Sequence, residues 1–142
     1  MKTNREMLSS VLKTTQMGQL GIRSVLDAAV QSDLRQALNQ QLQEYDRIET
    51  EAHSIASQRG WELRELDPAV RAMTDLMVRL RLPKANPDSK IADLMILGNT
   101  KGMVKGLKNI HASDGRDGRV TTLSQKLIDT ETNNIRQMRP FL

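Results

Sequence analysis

Four polar residues interrupt otherwise apolar stripes near the midpoints of four long amphipathic stretches: Gln19, Glu49, Asn99 and Glu131. At about 100° per residue each falls within or beside the face its stretch would turn to a core. Glu131 is the sharpest case, because Val120, Leu127, Ile128, Ile135 and Met138 share its face. Asn134 follows one turn later, and Tyr45 precedes Glu49 by one turn. If four helices face one another, these groups converge at one depth. The expectation is a buried polar cluster of Gln19, Tyr45, Glu49, Asn99, Glu131 and Asn134, with Glu131 hydrogen-bonded to Gln19, Tyr45, Asn99 or another midpoint group. Carboxylates in such a place must be paired, protonated or bound to a cation, since burying a bare charge is costly.

The chemistry open to these residues is narrow. His53 follows Glu49 by four residues, a spacing that can place both on one metal, but it projects toward the flank of its helix and reads as a solvated or interhelical histidine. No metal is expected. Were there a site, Glu49, Glu131, Asn134, Gln19, Asn99 and His53 would supply it, and carboxylate, amide and water ligands favour a hard cation such as manganese or calcium. His111 sits where a helix should end, a place that welcomes a cation. There is no cysteine, which removes disulfides, thiolate metal sites and cysteine nucleophiles. Phosphate-binding glycine loops and local triad motifs are absent. No catalytic residue, and no cofactor, is assigned.

The elements that would position the cluster follow from periodicity. Apolar residues Leu8, Val11, Leu12, Ile22, Val25, Leu26 and Ala29 recur at three- and four-residue steps behind a cap at Thr3 or Asn4, predicting a helix over about 4–30. Leu34, Leu38, Gln41, Tyr45, Ile48, Ala52 and Ile55 predict a second over about 33–59, stopped by Gly60. Asp67-Pro68 reads as a cap with proline at the first helical position, opening a short helix over about 68–81 before Pro83 and Pro87. Asp88 or Ser89 can cap a helix over about 89–111, and the doubled Asp-Gly of 114–118 turns the chain into a last helix over about 119–139.

Short links make two antiparallel hairpins. The long helices are roughly 35–40 Å at 1.5 Å per residue, so the 61–88 connector can carry the chain back along the bundle. Gly98, Gly102 and Gly106 are spaced by four on one helix and read as a close-packing face.

With Gln16-Met17-Gly18, Glu44-Tyr45-Asp46, Ile96-Leu97-Gly98 and Glu131-x-x-Asn134-Ile135, the chain resembles the ferritin-like superfamily, in particular small uncharacterised ferritin-like proteins of clostridial-type bacteria. The resemblance implies one domain over 1–142: an all-α, ferritin-like four-helix bundle of two antiparallel hairpins joined by a long crossover containing a short helix. Di-iron members carry a carboxylate on each of two helices and Glu-x-x-His on the other two. Here Asn134 stands where histidine belongs, Ala52 gives nothing after Glu49, and Gln19 and Asn99 are neutral. The resemblance therefore implies the fold with its di-iron site lost or remodelled.

The 142 residues carry 21 basic and 17 acidic side chains, a formal charge of +4, and only Tyr45, Trp61 and Phe141 as aromatics. An aliphatic core with eight methionines as fillers suits helix-on-helix packing. Lys90, Lys101, Lys105 and Lys108, with Arg136 and Arg139, form a basic stripe, but without aromatic platforms or a reading helix it is a solvated face, not a nucleic-acid surface. No apolar run reaches the ~18 residues of a membrane span, and Met1-Lys2-Thr3-Asn4-Arg5-Glu6 leads into an amphipathic stretch with no continuous apolar h-region, so a cytoplasmic protein is expected. Met17 and Leu20 point away from the first helix's core stripe, and Leu76, Leu80 and Leu82 exceed what a narrow stripe can bury, which points to a homodimer. The crossover helix covering helix one within one chain is the competing reading. The function expected is a non-enzymatic bundle acting through oligomerisation or protein contacts. The alternatives are a metal-binding or oxidase-like protein and a weak nucleic-acid binder.

Overall fold

A computed structural model describes residues 1–142. The chain is all-helical: α1 Asn4–Leu26, α2 Ser32–Arg59, α3 Pro68–Arg81, α4 Asp88–Ala112 and α5 Gly118–Met138, with a closing 3-10 turn at Arg139–Phe141. No helix is long and apolar enough to cross a membrane.

Side chains at the helix ends explain the boundaries. Thr3 and Glu6 form a reciprocal capping box that satisfies the first free amides of α1. Gly60, in the left-handed region at φ 69°, ends α2 with its N–H returned to Ala56 and Ser57 carbonyls. Asp67 accepts from the Ala69 N–H ahead of Pro68, and Asp117 accepts from the Arg119 and Val120 amides at the start of α5. Two expected boundaries move. The first helix stops at Leu26 instead of continuing to about 30, and residues 27–31 turn the chain. Asp88 does not cap its own helix: its carboxylate accepts from the Val30 and Gln31 amides at 2.8 and 2.9 Å. The α1–α2 link is thereby tied to the start of α4; burial pushes the Asp88 carboxyl up, but those backbone bonds, with the Gln31 side chain and the Arg35 charge, together hold it below its ordinary pKa.

Contacts at the ends fix the helix directions. The Lys2 amide donates to the Ala112 carbonyl, joining the start of α1 to the end of α4, and Arg59 pairs with Asp117 across the α2–α5 end. α1 is therefore antiparallel to α2 and α4, and α5 antiparallel to α2 and α4. The cyclic order is α1–α2–α5–α4, with α2 and α4 on one diagonal. The 61–87 connector climbs the outside of α1, with α3 packed on α1. A single aliphatic core fills the centre, from Leu8, Ile22 and Val25 through Leu38, Ile48 and Ile55 to Ile91, Val120 and Met138. Trp61 and Leu82 pack against it from the connector, so Leu82, expected to be surplus apolar surface, belongs to the core's margin.

Candidate functional site

Three polar side chains from three helices meet in the bundle centre. The Tyr45 hydroxyl of α2 donates to Asn99 Oδ1 of α4 at 2.9 Å. Asn134 of α5 donates from Nδ2 to the same Oδ1 at 3.2 Å and to the Tyr45 oxygen at 3.3 Å. Asn99 Nδ2 donates back to the Met95 carbonyl one turn earlier at 2.7 Å. All three are buried, so the group is nearly self-satisfied, as buried amides must be. Burial, with the nearby Glu131 charge as a lesser cause, raises the Tyr45 pKa, and the group stays a hydroxyl.

Glu131 lies beside this group, 2 % exposed, yet it joins none of its hydrogen bonds. Its Oε1 has no partner, contrary to the expected bond to Gln19, Tyr45, Asn99 or another midpoint residue. Desolvation raises the carboxyl pKa to about 8, so Glu131 is mostly neutral at pH 7. Room for it comes from α4: a Cβ on Gly102 would lie 2.7 Å from the Glu131 carboxyl carbon. On α1, a Cβ on Gly18 would lie 2.6 Å from Tyr45 Cε2. These two glycines are what lets the acid and the phenol stand where they do.

Between α1 and α4 opens a cavity of about 270 Å³. Tyr45, Asn99 and Glu131 line it from within, and Ile22, Leu94 and Met95 give it apolar walls. Gly21 and Gly98 keep it open, since no side chain stands at either position, and Lys13, Lys101 and Lys105 stand around it on α1 and α4. At the glycines spaced by four, a ligand groove is the sequence's second reading behind close packing, and the structure divides the two along the helix. Gly102 and Gly106 do pack against α5, a Cβ on Gly106 falling 2.8 Å from Ile128, whereas one on Gly98 would meet nothing within 4 Å.

Gln19 and Glu49 do not join the central group. Gln19 Nε2 donates to Asp46 Oδ1 at 2.9 Å and Glu49 Oε1 at 3.3 Å, on the α1–α2 seam. Gln16, missed as a functional candidate, bridges Glu49 and Glu65 through Nε2, both at 3.2 Å, and accepts the Leu66 amide at 2.8 Å, pinning the connector. The expected six-residue cluster is thus two separate networks, Tyr45–Asn99–Asn134 and Gln19–Glu49, with Glu131 in neither. Four helical residues rotate the side chain by about 40°, which suffices to carry Glu49 from the interior face of Tyr45 to the seam with α1. His53 is exposed, its Nε2 3.9 Å from Glu65 Oε1 and in no contact with Glu131. No three histidine, aspartate or glutamate side chains gather where one ion could hold them. With Glu49 held in the α1–α2 seam and Glu131 outside both networks, the residues do not fit a di-iron pair, which needs bridging carboxylates.

A second feature lies on the outside. α3 has no buried residue. Its inner face combines Val78, half-buried against the core, with a polar contact to α1: Ser24 of α1 donates to Asp75, which Arg79 also holds at 2.9 Å. Those two bonds, Ser24 first, keep the Asp75 carboxyl below its ordinary pKa. The apolar stripe Val70, Met73, Met77 and Leu80 faces outward, 44, 65, 49 and 75 % exposed, with Leu76 beside it. α3 is mounted with its apolar side to solvent.

Comparison of the chain with family models, curated proteins and solved structures finds no match.

Proposed function

We propose that this chain is a non-enzymatic, ferritin-like helical bundle that acts by pairing with a second copy of itself through α3. The observation that carries the reading is the outward stripe at 70, 73, 77 and 80. Its 3-4-3 spacing is that of a coiled-coil seam, and the spacing is palindromic. An antiparallel two-fold pairing therefore sets Val70 of one protomer against Leu80 of its partner, and Met73 against Met77, satisfying the self-complementarity that a two-fold interface requires. A helix anchored by Ser24 and Asp75 while its apolar side stays free has surrendered part of its intrachain burial, and an interface restores it.

The ferritin-like part of the proposal rests on the crossover topology, two antiparallel hairpins joined by a connector along α1, and on the polar residues at the bundle's centre. Asn99 and Asn134 stand with Glu131 where a di-iron member would hold further carboxylate and imidazole, and two amides and a phenol make a hydrogen-bonded plug instead of a ligand set.

The chain's lack of cysteine gives a clean test. Mixed in equal amounts and oxidised, single variants Met73→Cys and Met77→Cys should form a crossed disulfide dimer faster than either variant alone, because only the crossed pair faces across the two-fold. Equal, slow crosslinking of all three samples would reject the α3 pairing.

A further inference from the structure

The cavity between α1 and α4 has three chemically distinct zones, and pairing through α3 uses none of them. Its inner end holds a carboxyl group, 2 % exposed, with one oxygen unpartnered. A buried acceptor of this kind costs free energy until a donor reaches it, and none of the surrounding side chains does. The walls are apolar, from Ile22, Leu94 and Met95. Beside the opening stand Lys13, Lys101 and Lys105. The chain's lysine ion pairs are Lys90–Asp93 and Lys126–Glu44, so these three are without carboxylate partners. Desolvation first, and then the like charges of Lys2 and Lys13, hold the Lys105 ammonium below its ordinary pKa.

We propose that this cavity is a binding site for a small anionic amphiphile: a carboxylate or phosphate head at the lysines, a slim apolar body between α1 and α4, and a terminal hydroxyl that donates to Glu131. Each part answers an observation. The lysines call for an anion, and they bar a simple amine from reaching the acid. The aliphatic walls call for hydrocarbon. The free Glu131 oxygen calls for a partner, and a hydroxyl can both donate and accept a hydrogen bond, which suits the acid in either state. Size agrees as well. A cavity of about 150 Å³ holds benzene, so the roughly twofold larger space here takes a molecule of about ten to twelve non-hydrogen atoms. Gly18 and Gly102 acquire a reason beyond packing, since a side chain at either would close the inner end against its polar groups.

The test uses ω-hydroxyoctanoate, octanoate and octylamine as probes, titrated calorimetrically into the whole chain. Binding should be tightest for ω-hydroxyoctanoate, about tenfold weaker for octanoate, which lacks the donor for Glu131, and undetectable for octylamine. The surface double variant Lys101→Ala/Lys105→Ala should weaken both acids about tenfold without altering the thermal melt. Gly98→Leu, which meets no neighbour at its Cβ and fills the opening, should abolish binding while the fold persists. Absence of binding by ω-hydroxyoctanoate at ~1 mM, octanoate binding as well as the hydroxy acid, octylamine binding as well as either, or affinities indifferent to both variants would each overturn the proposal.

Discussion

Tyr45 Oη of α2 lies 2.9 Å from Asn99 Oδ1 of α4, a hydrogen bond across the bundle's diagonal between two helices that otherwise barely touch. A bond there exists in one register only, because sliding either helix by a turn moves its partner by about 5.4 Å. The Asn134 amide donates to both atoms of the pair, so the hydroxyl cannot be removed without stranding others. Tyr45→Phe keeps the ring against Gly18 and deletes only the oxygen. It should cost about 1–3 kcal/mol in urea unfolding, the range for leaving a buried polar group unpaired. A neutral result would mean that Asn99 and Asn134 satisfy one another unaided.

Glu131 makes stability depend on pH in the direction opposite to a salt-bridged acid. Its folded pKa is about 8 against an ordinary value of 4.5, so between those values the folded state holds a proton that the unfolded state has released. Stability from this group is full below pH 4.5, declines as pH rises and is lost by about pH 8, with a slope of at most ~1.4 kcal/mol per pH unit. Glu131→Gln should flatten that decline, matching the parent at pH 5 and exceeding it at pH 8. Parallel curves for parent and variant would contradict the assignment.

Two glycines one turn apart on α4 should respond with opposite signs. Alanine at 98 meets nothing within 4 Å and should stabilise the helix by about 0.5–1 kcal/mol. At 102 alanine is pressed onto the Glu131 carboxyl group and should destabilise by about 1–3 kcal/mol, the usual cost of overpacking a core. Thermal melts of Gly98→Ala and Gly102→Ala distinguish this from a uniform propensity effect, in which both would stabilise.

The helices were legible because their signals are local. Asp67-Pro68, Gly60 and Thr3 with Glu6 act within a turn of themselves, and periodicity carries the rest. Asp88 was not legible in the same way, since its carboxylate serves amides at Val30 and Gln31, a long-range use of a residue that looks like a local cap. Glu131 could be placed inside from its apolar neighbours, but its isolation could not, because hydrogen bonding depends on where three other helices put their side chains. The difference between Gly98 and Gly102 likewise lies in what α5 presents opposite each, not in their spacing.

The outward stripe of α3 can be probed at single positions. Leu80→Lys changes a side chain that is 75 % exposed, and in a lone protomer it should leave stability within about 0.5 kcal/mol. In a dimer it faces Val70 of the partner, and denaturation midpoints should fall and lose their dependence on protein concentration. A midpoint independent of concentration in the parent itself would count against pairing.

Sedimentation equilibrium tests self-association most directly. At micromolar concentrations the parent should sediment as a species of twice 16.0 kDa, and Met73→Lys/Leu80→Lys, altered only on the exposed face of α3, as a folded 16.0 kDa monomer. A parent that stays at 16.0 kDa across the concentration range, or a double variant that still dimerises, would contradict the α3 interface.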